Sequence, residues 1–169
     1  MRIEVRREFV IPYPGSLEDA IAFLRDVTRT LSRVNFIRHL RLERVDVYAD
    51  LVVDVPFLGE QHLDFHSVLE ETPLGAKLNG LEGDGRAWAQ VSGDGRAEAT
   101  ADGSRISYDL HVLVFVSLPS SEKWGGKAFE KMAQATAEKA IERMTLEFPR
   151  GVTAAIEGAS RGEADAPQH

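Results

Sequence analysis

The amino-acid sequence predicts an α+β domain in which a curved antiparallel sheet of about six to seven strands wraps around one long C-terminal helix. Three observations predict this class. Over 1–11 and over much of 37–118, apolar residues recur at every second position, which is the period of half-buried strands. Two other stretches, 17–34 and 127–148, repeat their apolar residues at helical spacing. Turn signals containing Gly or Pro separate the strand segments, so we expect a meander.

The first strand, predicted over 1–11, places one charged residue on its apolar face. The alternation that brings Val5 and Phe9 inward also brings Arg7 inward. A buried guanidinium needs carboxylate or carbonyl partners within the protein, or an anionic group on a ligand. We favour a partner within the protein, because buried charges are generally matched, and we keep the ligand as the alternative.

A single helix is predicted after this strand. Pro12 and Pro14 end the strand, and Ser16 with Asp19 then resembles a capping box in which Asp replaces the usual Glu. The apolar residues behind this cap indicate one amphipathic helix of about 18 residues, from residue 17 to near residue 35.

The long middle part of the chain is predicted to be a meander of short strands. Asp-Gly is a strong signal for a tight hairpin turn. It occurs at 84–85, 94–95 and 102–103, so we expect three turns in the second half of the sheet. The strands predicted from alternation are 37–43, 45–55, 61–69, 77–81 and 106–118, with short alanine-rich strands between the Asp-Gly turns.

The last strand and the helix after it form the predicted centre of the core. One face of 106–118 is an apolar row, whereas the other begins with polar residues and then carries Leu113 and Phe115. We predict that these two form a small exposed patch, which is either a homodimer contact or covered by the first helix. The terminal helix is predicted over 127–148, ended by Pro149, with one further turn at 152–156. The domain then spans 1–156, and 157–169 is a disordered tail.

Composition excludes several classes of function. The 169 residues contain no cysteine, so disulfides, thiolate metal sites and thiol nucleophiles are excluded. A net charge of −7 and a pI near 5.3 argue against nucleic acid as a partner, because phosphate-binding surfaces cluster Lys and Arg. No apolar run reaches the length of a membrane span, and the N-terminus lacks the apolar stretch of a signal peptide. We expect a cytoplasmic protein.

Histidines and carboxylates offer the clearest candidates for metal or catalytic chemistry. His62, Asp64 and His66 project from one face of a predicted strand, a combination that binds divalent metals where the side chains converge. The opposite face carries the natural core residues, so this row faces water and we predict no metal site. Neither His39 nor His111 occurs in a spacing that indicates a Ser–His–acid triad. We therefore assign no catalytic residue and no cofactor.

The order of elements and three glycine-containing segments carry a family resemblance. A strand, a helix, a run of about six strands and one long helix resemble the helix-grip fold of START-like (SRPBCC) and polyketide-cyclase-like proteins. The pattern is similar to a START-like subunit of carbon monoxide dehydrogenase and to an uncharacterised bacterial family near it. The resemblance implies an apolar cavity between sheet and terminal helix. The segments are Gly85-Arg86-Ala87-Trp88-Ala89, Gly93-Asp94-Gly95-Arg96-Ala97 and Gly103-Ser104-Arg105-Ile106-Ser107-Tyr108.

These observations predict a non-catalytic carrier or sensor that binds a hydrophobic small molecule or lipid. The alternatives are a cyclase- or hydratase-like enzyme that uses polar cavity residues, and an interaction module with a solid core that forms a homodimer. Any ligand is predicted to lie between the sheet and the start of the terminal helix. The candidate residues are Arg7, Trp88, Tyr108, Val112, Trp124, Phe129, Met132 and Thr136.

Overall fold

A computed structural model of the chain describes residues 1–56, 58–117 and 126–165, with side chains up to residue 158. Within these residues the elements follow the predicted order of a strand, helical segments, six strands and C-terminal helices. Their bounds are β1 Arg2–Tyr13, α1 Leu17–Arg25, α2 Val27–Leu31, β2 Ile37–Glu43, β3 Asp46–Val55, β4 Gly59–Thr72, β5 Gly75–Leu81, β6 Ala87–Thr100, β7 Gly103–Val116, α3 Lys127–Thr145 and α4 Phe148–Asp165.

The strands form one antiparallel sheet with an open edge on each side. Its order is β1-β7-β6-β5-β4-β3-β2, so the strands from β2 to β7 are a meander and β1 pairs with the last strand. All neighbours are antiparallel, and the helices pack on one face of the sheet, where the main hydrophobic cluster lies. This architecture confirms the predicted fold class, a helix-grip fold.

The segment after β1 differs from prediction because it contains two short helices. Ser16 caps α1 as predicted, accepting a hydrogen bond from the backbone N–H of Asp19 at 3.1 Å. At Asp26 the backbone leaves the helical region, and the carboxylate caps α2 by accepting from Arg29 N at 3.2 Å. An Asp that bonds to the backbone in this way competes with helix continuation, which is why the predicted single helix is divided.

The terminal helix is bent instead of ending at Pro149. A turn at Leu146 and Glu147 separates α3 from α4, and Pro149 lies in the first turn of α4, where a missing backbone N–H is tolerated. The helix α4 runs to Asp165, so 157–165 is helical where the sequence predicts a disordered tail. Residues 166–169 of that predicted tail lie outside the described residues. No helix in the described chain is long and apolar enough to span a membrane.

The Asp94-Gly95 dipeptide is not a turn, which corrects one of the three hairpin predictions. It lies within β6, whereas 84–85 falls in the connection before β6, and Asp102 ends the turn before β7, which begins at Gly103. A Cβ atom at Gly95 would lie 2.8 Å from Leu24 Cδ2 and 3.1 Å from Tyr108 Cε1. Gly95 therefore marks a close approach of α1 to the sheet, which is one of the roles of glycine within a strand.

The predicted exposed patch at Leu113 and Phe115 is also wrong. Leu113 is only 4% exposed. The ring of Trp88, which lies opposite Phe115 in the register of β6 and β7, stacks on the Phe115 ring with centroids 5.5 Å apart. An aromatic side chain from the neighbouring strand, and not the first helix, thus covers Phe115. The homodimer stays a prediction, without support from this patch.

Candidate ligand-binding site

A small apolar cavity lies between the sheet and the first helical pair. It has a volume of about 70 Å³. The helices α1 and α2 form one wall, the inward face of β3 to β7 forms another, and Phe148 at the start of α4 adds to the lining. The apolar lining residues are Leu24, Val27, Leu31, Phe36, Ile37, Leu51, Leu69, Ala76, Leu78, Val91, Leu110, Val112 and Phe148.

Two hydrogen bonds hold α1 over the sheet. Arg25, the last residue of α1, donates from Nη2 to Thr72 O at 2.6 Å and from Nε to Gly75 O at 3.1 Å. Gly75 also lies close to Leu24, because a Cβ atom at Gly75 would be 2.8 Å from Leu24 Cδ1. The end of α1 is therefore fixed to the turn between β4 and β5, which positions Leu24 in the cavity wall.

One inward position of β6 in the cavity lining has no side chain. Gly93 lies on the same face as Val91 and opposite Leu110 in β7. A Cβ atom added there would meet only Asp109 O, at 3.6 Å. The space in front of Gly93 is therefore open, unlike the space in front of Gly95.

Tyr108 supplies a buried polar atom to this cavity. Its hydroxyl oxygen is buried and has no hydrogen-bond partner of normal geometry in the described part of the chain. Burial raises the pKa of the phenol well above its ordinary value, and the Thr30 hydroxyl opposes this in part. The Thr30 hydroxyl lies 2.6 Å from Phe23 O and 2.9 Å from Asp26 O, so its proton is directed to the backbone. Tyr108 is thus a neutral hydroxyl that makes no hydrogen bond of normal geometry with the described residues.

Arg7 lies beside the cavity, on the inward face of β1, as its position in the alternation predicts. It is half-buried and stands directly opposite the lining residue Leu110. Its Nε is buried and has no hydrogen-bond partner. Arg7 forms no ion pair with any carboxylate of the described side chains, so the internal partner that we favour is not among them.

The Phe148 ring lines the cavity and contacts the strand that carries Arg7. Its centroid lies 5.8 Å from that of Phe9 in β1 and 5.3 Å from that of Tyr108, which it meets edge to face. Such geometry is favourable for aromatic rings. Because Phe148 directly follows the turn between α3 and α4, its position depends on the bend in the terminal helix.

The structure brings only some of the predicted site residues together. Tyr108 and Val112 line the cavity, but Phe129, Met132 and Thr136 lie on the first half of α3 and are absent from its lining. Met132 is 46% exposed. Trp88 is on the opposite face of the sheet, and Trp124 lies outside the described residues.

Sequence reasoning missed the helical wall made by α1 and α2. The available signal was the pair of glycines at 93 and 95, two positions apart inside a strand, which places both on one face. Read as part of a turn, these residues give no information about a cavity. Read as strand positions, they indicate a missing side chain and a close approach.

The predicted metal candidates point outward, and two of them pair with separate carboxylates. His62 Nε2 lies 2.8 Å from Glu60 Oε1, and His66 Nε2 lies 2.8 Å from Asp46 Oδ1. Within the described residues, no group of three or more His, Asp or Glu side chains is arranged to hold a metal ion. Calorimetric titration with zinc tests the prediction that none binds.

The third candidate, Asp64, belongs to a pair of facing carboxyl groups. It stands opposite Asp50 in the register of β3 and β4. The hydrogen bond with Asp50, partial burial and the Asp50 charge raise the pKa of Asp64. Partial burial opposes ionisation of Asp50, but hydrogen bonds with His39 and Asp64 and the nearby histidine charges lower its pKa. The pair therefore holds a proton more readily on Asp64.

Comparison with protein families places most of the chain in one of them. The model of the family described as protein of unknown function (DUF3809) matches residues 8–146. No curated protein matches the chain.

Solved structures share the fold at low sequence identity. The Zhui aromatase/cyclase from Streptomyces sp. R1128 is 17% identical with a TM-score of 0.54, and the match covers 100% of both chains. A protein from Thermus thermophilus is 17% identical with a TM-score of 0.51 over 90% of this chain and 98% of its own. The di-domain aromatase/cyclase StfQ from the steffimycin biosynthetic pathway is 15% identical with a TM-score of 0.53 over 94% of this chain, which spans only 52% of StfQ. These similarities establish the START-like fold.

Proposed function

Because the chain belongs to this family of unknown function and has a START-like fold, we propose that it is a non-catalytic carrier or sensor of a mostly apolar small molecule. The observation that carries the proposal is the apolar cavity under α1 and α2, with Tyr108 as a buried donor. A ligand with one hydrogen-bond acceptor can bond to the Tyr108 hydroxyl, and its apolar part packs against the cavity walls. The cavity favours this function over an interaction module with a solid core.

The size of the cavity limits the apolar body of the ligand. An engineered apolar cavity of about 150 Å³ binds benzene, whereas this cavity measures about 70 Å³. A small alkyl group enters with little rearrangement. A larger body requires a wall to move, and Phe148 is the lining residue next to the bend between α3 and α4. We therefore expect affinity to fall for bulky rigid ligands.

A cyclase- or hydratase-like enzyme is the second candidate, favoured by the same Tyr108 hydroxyl. A neutral phenol polarises a bound carbonyl by donating a hydrogen bond, but its raised pKa makes it a poor general base. Enzymes of this kind also need a second group that accepts the proton. Tyr108→Phe separates the two functions, because a carrier keeps most of its affinity for an apolar ligand whereas an enzyme loses turnover.

The test of binding uses a variant that fills the cavity. Backbone amide NMR spectra of the wild type, titrated with benzene and with 1-butanol, should show saturable shifts near Leu110 and Val112. Gly93→Leu adds a side chain in the open space and should abolish these shifts. Ala99→Leu, which adds volume at an exposed position of the same strand, should keep them. Absence of saturable shifts with both probes in the wild type contradicts the proposal.

A further inference from the structure

Arg7 is placed where it can reach a ligand in the cavity. It stands directly opposite Leu110, a lining residue, across the β1–β7 pairing. Directly opposed residues in an antiparallel pair have Cβ atoms about 4.5 to 5.5 Å apart. Arg7 is not itself a lining residue, but its Cβ atom lies beside that of one, on the neighbouring strand.

The hydrogen-bonding capacity of Arg7 is not used by the described protein. Its Nε is buried without a partner, and no described carboxylate pairs with it. An arginine stays charged at all physiological pH values, so its charged side chain still lacks an acceptor. A buried donor without a partner is destabilising, and an anion that reaches Arg7 removes that penalty. Arg7 is half-buried, so part of the side chain remains accessible to such an anion.

One lining residue of the cavity also contacts the strand that carries Arg7. Phe148 contacts both Phe9, two residues along β1 from Arg7, and Tyr108 in the cavity wall. Phe148 thus connects the row of Arg7 with the cavity wall, and two donors without partners, Arg7 Nε and Tyr108 Oη, lie on the neighbouring strands β1 and β7. We propose that Arg7 binds the carboxylate of a short amphipathic acid whose alkyl end occupies the cavity, with Phe148 as the movable wall.

This inference rests on the proposed function, because it names the class of ligand for the same cavity. A carboxylate fits the planar fork of a single guanidinium through two parallel hydrogen bonds. The protein carries a formal charge of −7, which disfavours multiply charged anions. A single negative charge on an apolar chain matches one arginine beside an apolar cavity.

The experiment compares acids with the corresponding alcohols by calorimetry. Butyrate, hexanoate and octanoate are titrated against 1-butanol, 1-hexanol and 1-octanol at pH 7 in the wild type, Arg7→Met and Arg6→Met. Arg6 is the matched control, because it lies next to Arg7 on the outward face and its side chain is 70% exposed. Arg7→Gln serves as the second variant where Arg7→Met does not fold, as judged by urea unfolding.

The wild type should bind each acid about tenfold or more tightly than its alcohol, since a charge-assisted bidentate contact is added. Each methylene that enters the cavity should tighten both series about fourfold. Arg7→Met should remove the preference for acids and leave the alcohols unchanged, whereas Arg6→Met should change neither series.

The outcomes separate this inference from the proposal on which it rests. Alcohols that bind in the cavity while acids bind no more tightly overturn the inference and leave the carrier function standing. The same conclusion follows if Arg7→Met weakens acids and alcohols equally, because Arg7 then has only a structural role. Failure of the wild type to bind either series overturns both.

Discussion

Two glycines of β6, Gly93 and Gly95, differ in the space that surrounds them. At Gly93 an added methyl group makes only an ordinary contact with Asp109 O, whereas at Gly95 it lies so close to Leu24 and Tyr108 that their side chains must shift. The two positions share a strand and a face, so they differ in what packs against them: Leu24 of α1 and Tyr108 of β7 lie close to Gly95 and not to Gly93. A substitution at each tests the cavity and the close approach separately.

Gly93→Ala should stabilise the fold by about 0.5 to 1 kcal/mol, because it removes the conformational freedom of glycine within a strand without a clash. Gly95→Ala should destabilise it, since the new Cβ lies 2.8 Å from Leu24 Cδ2. Urea unfolding of the two variants and the wild type gives the comparison. Equal effects at both positions would show that the space in front of Gly93 is not open.

The facing carboxyl groups of Asp50 and Asp64 give a stability change that depends on pH. Like charges directly opposite each other in a sheet are unfavourable, so Asp64→Asn should raise the free energy of unfolding at pH 7 by about 0.2 to 1 kcal/mol. The pKa of Asp64 is raised in the folded state. Its protonated form therefore favours folding below the unfolded pKa, and this contribution is lost as pH rises through the folded pKa.

The increase in the free energy of unfolding caused by Asp64→Asn should accordingly become smaller as the pH falls below the folded pKa of Asp64. Asp50, with a lowered pKa, has the opposite dependence: its contribution is present above its unfolded pKa and lost as the pH falls through the folded value. Urea midpoints measured from pH 7 down to pH 3 check both. An undiminished gain at pH 3 would exclude charge repulsion as the cause.

Among the elements, α3 supplies a short apolar stripe that packs on β1 and β3. Ile141 is 1% exposed and is the largest fully buried side chain of α3. Ile141→Ala should lower the free energy of unfolding by about 2 to 5 kcal/mol, through lost burial and the remaining cavity. Met132→Ala, at an exposed position of the same helix, is the control and should change it little. A urea midpoint unaffected by Ile141→Ala would contradict the packing of this helix.

The helix α4 combines a buried start with an end that the sequence predicts to be dispensable. Val152, Ala155 and Ile156 are buried, whereas Glu157 is exposed. Deletion of 157–169 should therefore change the free energy of unfolding by no more than about 0.5 kcal/mol, as for surface changes generally. Thermal unfolding of the truncated chain measures this. A large drop in Tm would mean that the helical segment 157–165 contributes to packing.

For the molecule as a whole, the sequence predicts the sheet far better than the site. Alternation defines β3 closely, because buried residues occupy every second position of that strand. The cavity instead depends on where α1 lies over the sheet, which is set by contacts such as that of Arg25 with the β4–β5 turn. These contacts join residues far apart in sequence, and local periodicity carries no information about them. The sequence pattern therefore predicts that Phe129 and Met132 line the cavity. In the structure, α1 and α2 form that wall instead.

The pairing of β1 with β7 also determines when the sheet can be completed during synthesis. The register joins Arg2 to Phe115 and Tyr13 to Ser104, so β1 has no neighbour until about a hundred further residues have been made. At translation rates of about 5 to 20 residues per second, that interval is on the order of 5 to 20 seconds. During it, the apolar face of β1, with Ile3, Val5 and Ile11, is unpaired and accessible to chaperones, and such long-range pairing also slows refolding in vitro. The strand of this sheet that is made first is thus among the last to acquire its partner.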